Sequence, residues 1–257
     1  MTRLLRRAAI ALVLVLAPGS AWLLPATGAA ADSDTRCAVP ESLTFVDTPL
    51  PQVTKKLQAR LPVHVVVLGT SSSMPTTKGL PRSYAAGLQA ALETRLPGVL
   101  LQIDNLSEKN HTAMQMAEKL ARTVAPMQPD LVLWQTGNVD AAQQIDINDF
   151  SAALEDGIAA LRKSGIDVVL MAPQYRMRLS VMVDVAPYDR VMSQLGNAED
   201  VVIFPRFDIM RHWADNGTFD TRTDDLAMQM LVAEAQNRCI AGLLADMIAR
   251  AARLPPQ

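Results

Sequence analysis

Short runs of β-branched and aliphatic residues alternate along this chain with segments whose apolar residues recur at helical spacing, and that alternation limits the fold more than any other feature. The runs are Val63 to Leu68, Val99 to Ile103, Leu131 to Gln135, Val168 to Met171 and Val201 to Phe204. Each is apolar almost throughout instead of alternating with polar residues, the pattern of a strand covered on both faces. Between and after them the spacing predicts helices over Ser83 to Arg95, Ala113 to Val124, Asp149 to Lys163, Asp184 to Leu195 and Ile209 to Asp215. A long closing helix is expected from Met228 to Arg253. A crossover helix must pack over one side of the sheet that its strands form. The expectation is therefore an α/β protein with three layers, α/β/α, around a five-stranded, mostly parallel sheet.

The flanking segments read differently. Arg3, Arg6 and Arg7 precede an apolar stretch from Ala8 to Ala17, and small residues follow up to Ala29, Ala30 and Ala31. This is the layout of a secretory signal peptide, too short and too interrupted by Pro18 and Gly19 for a membrane span. Residues 1–31 are thus expected to be removed, leaving a periplasmic or secreted protein with no integral membrane anchor. Residues 32–62 are proline-rich, with a short helical stretch around Val53 to Arg60, and read as an N-terminal arm on a domain spanning 63–253; residues 254–257 form a tail. Only two cysteines are present, Cys37 and Cys239, and an oxidising compartment makes their pairing the natural expectation, with two free buried thiols as the alternative.

Several functions are disfavoured. A formal charge of −2 and the lack of any Lys/Arg cluster with interleaved aromatics argue against a nucleic-acid partner. No glycine-rich phosphate loop of the dinucleotide or P-loop type is present, so no cofactor is expected. Asp215, Asp220, Asp224 and Asp225 do not follow the alternating oxygen-ligand spacing of a calcium loop, and the methionines suit core filling better than copper ligation, so no metal is expected either. Nothing in the sequence sets an oligomeric state. In open parallel sheets ligands bind beyond the carboxyl ends of the strands, which directs attention to the loops after Leu68, Ile103, Gln135 and Met171.

The first of those loops carries a resemblance. Val66-Val67-Leu68-Gly69-Thr70-Ser71-Ser72-Ser73, a strand running into a small-residue turn, resembles the first block of the SGNH (GDSL-type) hydrolases. Further similarity, to a bacterial exported branch, runs through Pro129 to Gly137, Asp167 to Tyr175, Phe204-Pro205-Arg206-Phe207, Met210-Arg211-His212-Trp213 and Asp224-Asp225-Leu226. The resemblance implies a flavodoxin-like SGNH-hydrolase fold and an ancestry in ester or acetyl hydrolysis.

Carried over residue by residue, the resemblance places the nucleophile at Ser71. Serine needs an adjacent base, which the family supplies as the histidine of an Asp-x-x-His motif before the last helix. The matching residues here are Asp224-Asp225-Leu226-Ala227: Asp224 is kept, and Ala227 stands at the histidine position. The family's second block has a glycine whose N–H enters the oxyanion hole, and Asn110 occupies that place. Its third block, Gly-x-Asn, reads Gly137-Asn138-Val139, so its asparagine has either moved one position to Asn138 or gone, and the oxyanion-hole positions that the resemblance implies are Asn110, Gly137 and Asn138. Loss of one oxyanion donor costs about 2–4 kcal/mol of transition-state stabilisation, and loss of the base at least as much. The expectation is a catalytically impaired hydrolase relative that binds a small ester, acyl or carbohydrate ligand, or a partner, at the old cleft. The alternative is an active serine esterase in which His111, next to Asn110, substitutes as base; His64 and His212 are weaker candidates.

Overall fold

The computed structural model describes residues 34–75, 79–176 and 182–253. The expected signal peptide and the tail at 254–257 lie outside the described residues.

The strands are β1 (Val63–Leu68), β2 (Leu101–Asn105), β3 (Leu131–Gln135), β4 (Asp167–Met171) and β5 (Val202–Phe204). They form one sheet in the order β2-β1-β3-β4-β5, with every pairing parallel. Successive side chains of a strand face opposite ways, and both faces are dry here. Val63, Val65 and Val67 enter one hydrophobic core with Leu131, Leu133 and Met171, while Val66 and Leu68 enter the other with Val132, Trp134 and Leu170. This explains why the runs are apolar throughout.

Helices α1 (Pro51–Ala59), α2 (Tyr84–Arg95), α7 (Arg206–Asp215) and α8 (Leu226–Ala251) contribute to the first core. The second is covered by α3 (Ala113–Lys119), α5 (Ile147–Lys163) and α6 (Ala186–Ala198), and the single-turn α4 (Asn138–Ala142) follows β3. The three-layer α/β/α architecture expected from the sequence is therefore the architecture observed. β2 begins two residues later than expected, because the turn at Pro97-Gly98 carries on through Leu100, which is 72% exposed. The helix expected over 113–124 loosens after Lys119 into a π turn and then a 3-10 turn at Ala125–Met127, where Pro126 has no N–H to continue an α-helix.

The segment before β1 is bound to the sheet. Leu50 and Val53 are buried in the first core, and burial of such side chains contributes about 1.5–3 kcal/mol each. Leu50 has no side-chain oxygen with which to cap α1. Asp167, at the start of β4, supplies the cap from 115 residues away: its Oδ2 accepts the N–H groups of Gln52 and Val53, each at 2.9 Å. Cys37 and Cys239 form a disulfide with their Cα atoms 5.0 Å apart, tying residues 202 positions distant and fastening the N-terminal segment to α8. Asp34, Cys37 and Cys239 form a group of potential metal ligands by spacing, but both sulfurs are committed to the bridge. No helix among the described residues is long and apolar enough to cross a membrane.

Two predictions follow from these ties. Cys37→Ser, which leaves Cys239 as an ordinary buried thiol, is expected to lower unfolding stability by about 2–4 kcal/mol in urea titration, and reductant is expected to do the same to the parent protein but not to the variant. Burial raises the Asp167 pKa to about 6, against the two N–H bonds that lower it, with the charge of Asp130 adding to the rise. The folded state therefore holds this proton more tightly than the unfolded chain does. Its contribution is complete below the ordinary carboxylate pKa near 4 and is lost as pH rises through about 6. Relative to the parent, Asp167→Asn is expected to gain about 2–3 kcal/mol between pH 4 and pH 7, measured as the change in their stability difference.

Candidate active site

The strand order reverses between β1 and β3, and the turn after β1 sits at that switch point, where an open parallel sheet leaves a crevice. The turn is closed by Ser73 N–H donating to the Thr70 carbonyl at 2.9 Å. Gln135, fully buried at the end of β3, receives it: Oε1 accepts from Thr70 N–H (3.1 Å), Thr70 Oγ1 (3.2 Å), Ser72 Oγ (3.3 Å) and Ser73 Oγ (2.9 Å). Ser73 Oγ also pairs with the buried Tyr84 hydroxyl at 2.8 Å, and the Ser73 carbonyl accepts from Asn105 Nδ2 at 2.7 Å. Gly69 is required by this packing, since a Cβ there would lie 2.5 Å from Ser73 Oγ.

Arg206, the first residue of α7, comes up beneath the turn. Its Nη1 donates to Ser72 Oγ at 2.9 Å, and its guanidinium lies 5.3 Å from the centre of the Tyr84 ring. The side chain is fully buried, and neither Nε nor Nη2 has a hydrogen-bond partner. Burial pushes its pKa down to about 10, against the pull of the Tyr84 phenol; the charge of Arg176 pushes it the same way as burial.

Ser71 differs from its neighbours. It is exposed at the mouth of a cavity of about 610 Å3, and among the described residues its hydroxyl has no hydrogen-bond partner. Asn110 and Asn138 line the same cavity, so three of the residues singled out from the sequence converge. Asn110 holds a left-handed backbone, at φ 60°. Asn138 is clamped to the loop after β4: its Oδ1 accepts the Gln174 N–H at 2.7 Å and its Nδ2 donates to the Gln174 carbonyl at 3.1 Å. Gly137 lies buried at φ 93°, where a Cβ would meet Pro173 Cγ at 2.7 Å. Its N–H donates to Asp140 Oδ2 at 3.1 Å, and the same carboxylate takes Thr136 Oγ1 at 3.2 Å and, through Oδ1, Ala113 N–H at 2.7 Å.

The residues matching the base motif lie elsewhere. Asp224 and Ala227 are exposed and are not among the residues lining the Ser71 cavity; Asp225 caps α8 by accepting Ala227 N–H at 2.8 Å. Leu226 instead lines a second cavity of about 740 Å3 with Met230 and Met210. His111 is not a lining residue of the Ser71 cavity; its Nε2 lies 3.3 Å from Glu108, which also pairs with Lys119, and its Nδ1 is buried without a partner. His64 Nε2 pairs with Asp104 at 2.8 Å across β1 and β2, and His212 Nδ1 lies 3.2 Å from Asn216.

Residues 36–254 match the profile of the non-GDSL lipase-like family. The chain belongs to that family. Solved structures place this member of the non-GDSL lipase-like family in the SGNH-hydrolase fold. Axe2, an acetylxylan esterase from Geobacillus stearothermophilus, superposes with a TM-score of 0.53 at 14% identity, over 75% of this chain and 95% of its own. TesA gives 0.54 at 19% identity over 72% and 99%, and the lipase/acylhydrolase from Enterococcus faecalis 0.54 at 17% over 76% and 98%. No curated protein matches the chain in sequence.

Sequence reasoning missed Gln135 and Arg206 as site residues, although Phe204-Pro205-Arg206-Phe207 stood within the resemblance; an arginine at the head of a helix directly after a buried strand was the available signal. A buried cation with unpaired N–H groups is costly, and its replacement by an apolar side chain of similar length is commonly neutral or stabilising. Arg206→Met is expected to unfold at a urea concentration no lower than the parent, despite losing the Ser72 bond.

Proposed function

We propose that this protein is an exported relative of the ester and acetyl hydrolases in which proton transfer is impaired and the cavity at Ser71 is kept as a binding site for a small ester, acyl or carbohydrate ligand. The observation that carries the reading is the isolation of Ser71. Its neighbours in the turn are held by Gln135, Tyr84, Asn105 and Arg206, so the backbone at the nucleophile position is fixed. Its hydroxyl faces a cavity whose lining, among the described residues, contains no histidine, and alanine occupies position 227. Serine at its free pKa is a weak nucleophile, and none of the lining side chains is an imidazole that could take its proton.

The oxyanion side is altered as well. Gly137 N–H is spent on Asp140, and Val139 offers no side-chain donor where the family has asparagine. Asn138 retains one N–H beyond its clamp on Gln174, enough to orient a ligand carbonyl. Export rests on the signal-peptide layout of residues 1–31 together with the Cys37–Cys239 disulfide, a pairing that persists in oxidising compartments.

The purified protein is expected to hydrolyse p-nitrophenyl acetate no faster than its own Ser71→Ala variant. Ser71-dependent turnover in the parent would overturn the reading. Because relay and oxyanion groups act as a unit, Ala227→His alone is expected to raise the rate by less than about tenfold.

A further inference from the structure

We propose that the Ser71 cavity receives an anionic group, a carboxylate or a phosphoryl, held by the Arg176 guanidinium in the field of the buried Arg206. This deepens the reading of the cavity as a ligand site and rests on it.

Tyr175 and Arg211 both pack against the ring of Phe207, the residue after Arg206. Tyr175 packs edge-on against that ring at 5.4 Å between centroids, which brings the loop after β4 against the head of α7, where the charge of Arg176 reaches Arg206. Arg211 completes the group, with its guanidinium 5.5 Å from the centre of the Phe207 ring. Arg176 and Arg211 line the cavity, and Arg206 lies directly under its floor at Ser72.

Among the described residues no carboxylate pairs with Arg176 or Arg206. Asp208 pairs with Arg211 at 2.7 Å, and Asp184, the acidic residue in the lining, accepts the Ala186 N–H at 3.1 Å. Buried Asp189 has its pKa raised to about 6, first by burial and then by the charge of Asp208. Among the described residues Arg176 bonds only to the neutral Oε1 of Gln174, at 3.2 Å, and Arg206 only to Ser72 Oγ. The internal segments 76–78 and 177–181 contain no Asp or Glu that could serve as counter-ion.

The charges of Arg176 and Arg206 thus act on each other, with neither paired to a carboxylate among the described residues, at the edge of a cavity that also presents the Ser71 hydroxyl and the Asn138 amide. Like charges so placed repel, and a fully buried guanidinium with two unpartnered nitrogens adds a desolvation cost. An anion entering the cavity offsets the repulsion and acts on the buried Arg206 charge through its field, and the planar fork of Arg176 suits either a carboxylate or a phosphate. A neutral ester offsets neither.

Calorimetric titration of the purified protein at low ionic strength with sodium acetate, inorganic phosphate and the neutral ester propyl acetate tests this. Saturable one-to-one binding of at least one anion is expected, weakened about tenfold or more by Arg176→Gln, as for loss of one charge-assisted hydrogen bond. Arg206→Met is expected to weaken it in the same direction. Arg122→Gln, which removes a highly exposed charge paired with Glu118, is expected to leave it unchanged. The stronger of the two anions identifies the group as carboxylate or phosphoryl. The inference is overturned if neither anion saturates, if Arg176→Gln and Arg206→Met both bind as the parent does, or if Arg122→Gln weakens binding equally. Propyl acetate binding without anion binding would overturn the anionic class alone, and binding of none of the three would overturn the ligand site as well.

Discussion

A single amide oxygen organises the carboxyl end of this sheet. Gln135 Oε1, dry and at the end of a central strand, accepts four donors from the turn after β1, and that convergence sets where Ser71 stands. An acceptor so heavily used in a buried setting is expensive to disturb, because each orphaned donor would carry its own desolvation cost. The turn is therefore specified by packing and hydrogen bonding independently of any chemistry at Ser71. The residues that hold the turn are Gln135, Tyr84, Asn105 and Arg206, and none of these bonds involves position 227.

The fold was legible because it rests on local pattern. β1, β3 and β4 lie almost where their apolar runs predict, since a strand buried on both faces has no polar residues to blur its limits. The edges were less legible. At β2 the chain is half-exposed and the apolar Val99 and Leu100 belong to the preceding turn, so hydrophobicity alone put the strand too early. The five-residue α4 is too short for periodicity to reveal, and its capping carboxylate, Asp140, also accepts Ala113 N–H from a helix 27 positions earlier.

The site divided along the same line. Ser71, Asn110 and Asn138 were found because each belongs to a short contiguous motif, and they meet in one cavity. Gln135 and Arg206 act on the turn from 62 to 134 residues away, and no local spacing encodes such contacts. In the sequence Arg206 is one basic residue among many. Only burial distinguishes it, and burial is a property of the assembled layers.

Gln174, Tyr175 and Arg176 line the Ser71 cavity on one side and the larger apolar cavity on the other. The segment is a partition held at its base by the Asn138 clamp and at its middle by the Tyr175–Phe207 contact. The two chambers share this short stretch of wall, so the dimensions of each are set in part by the same three residues.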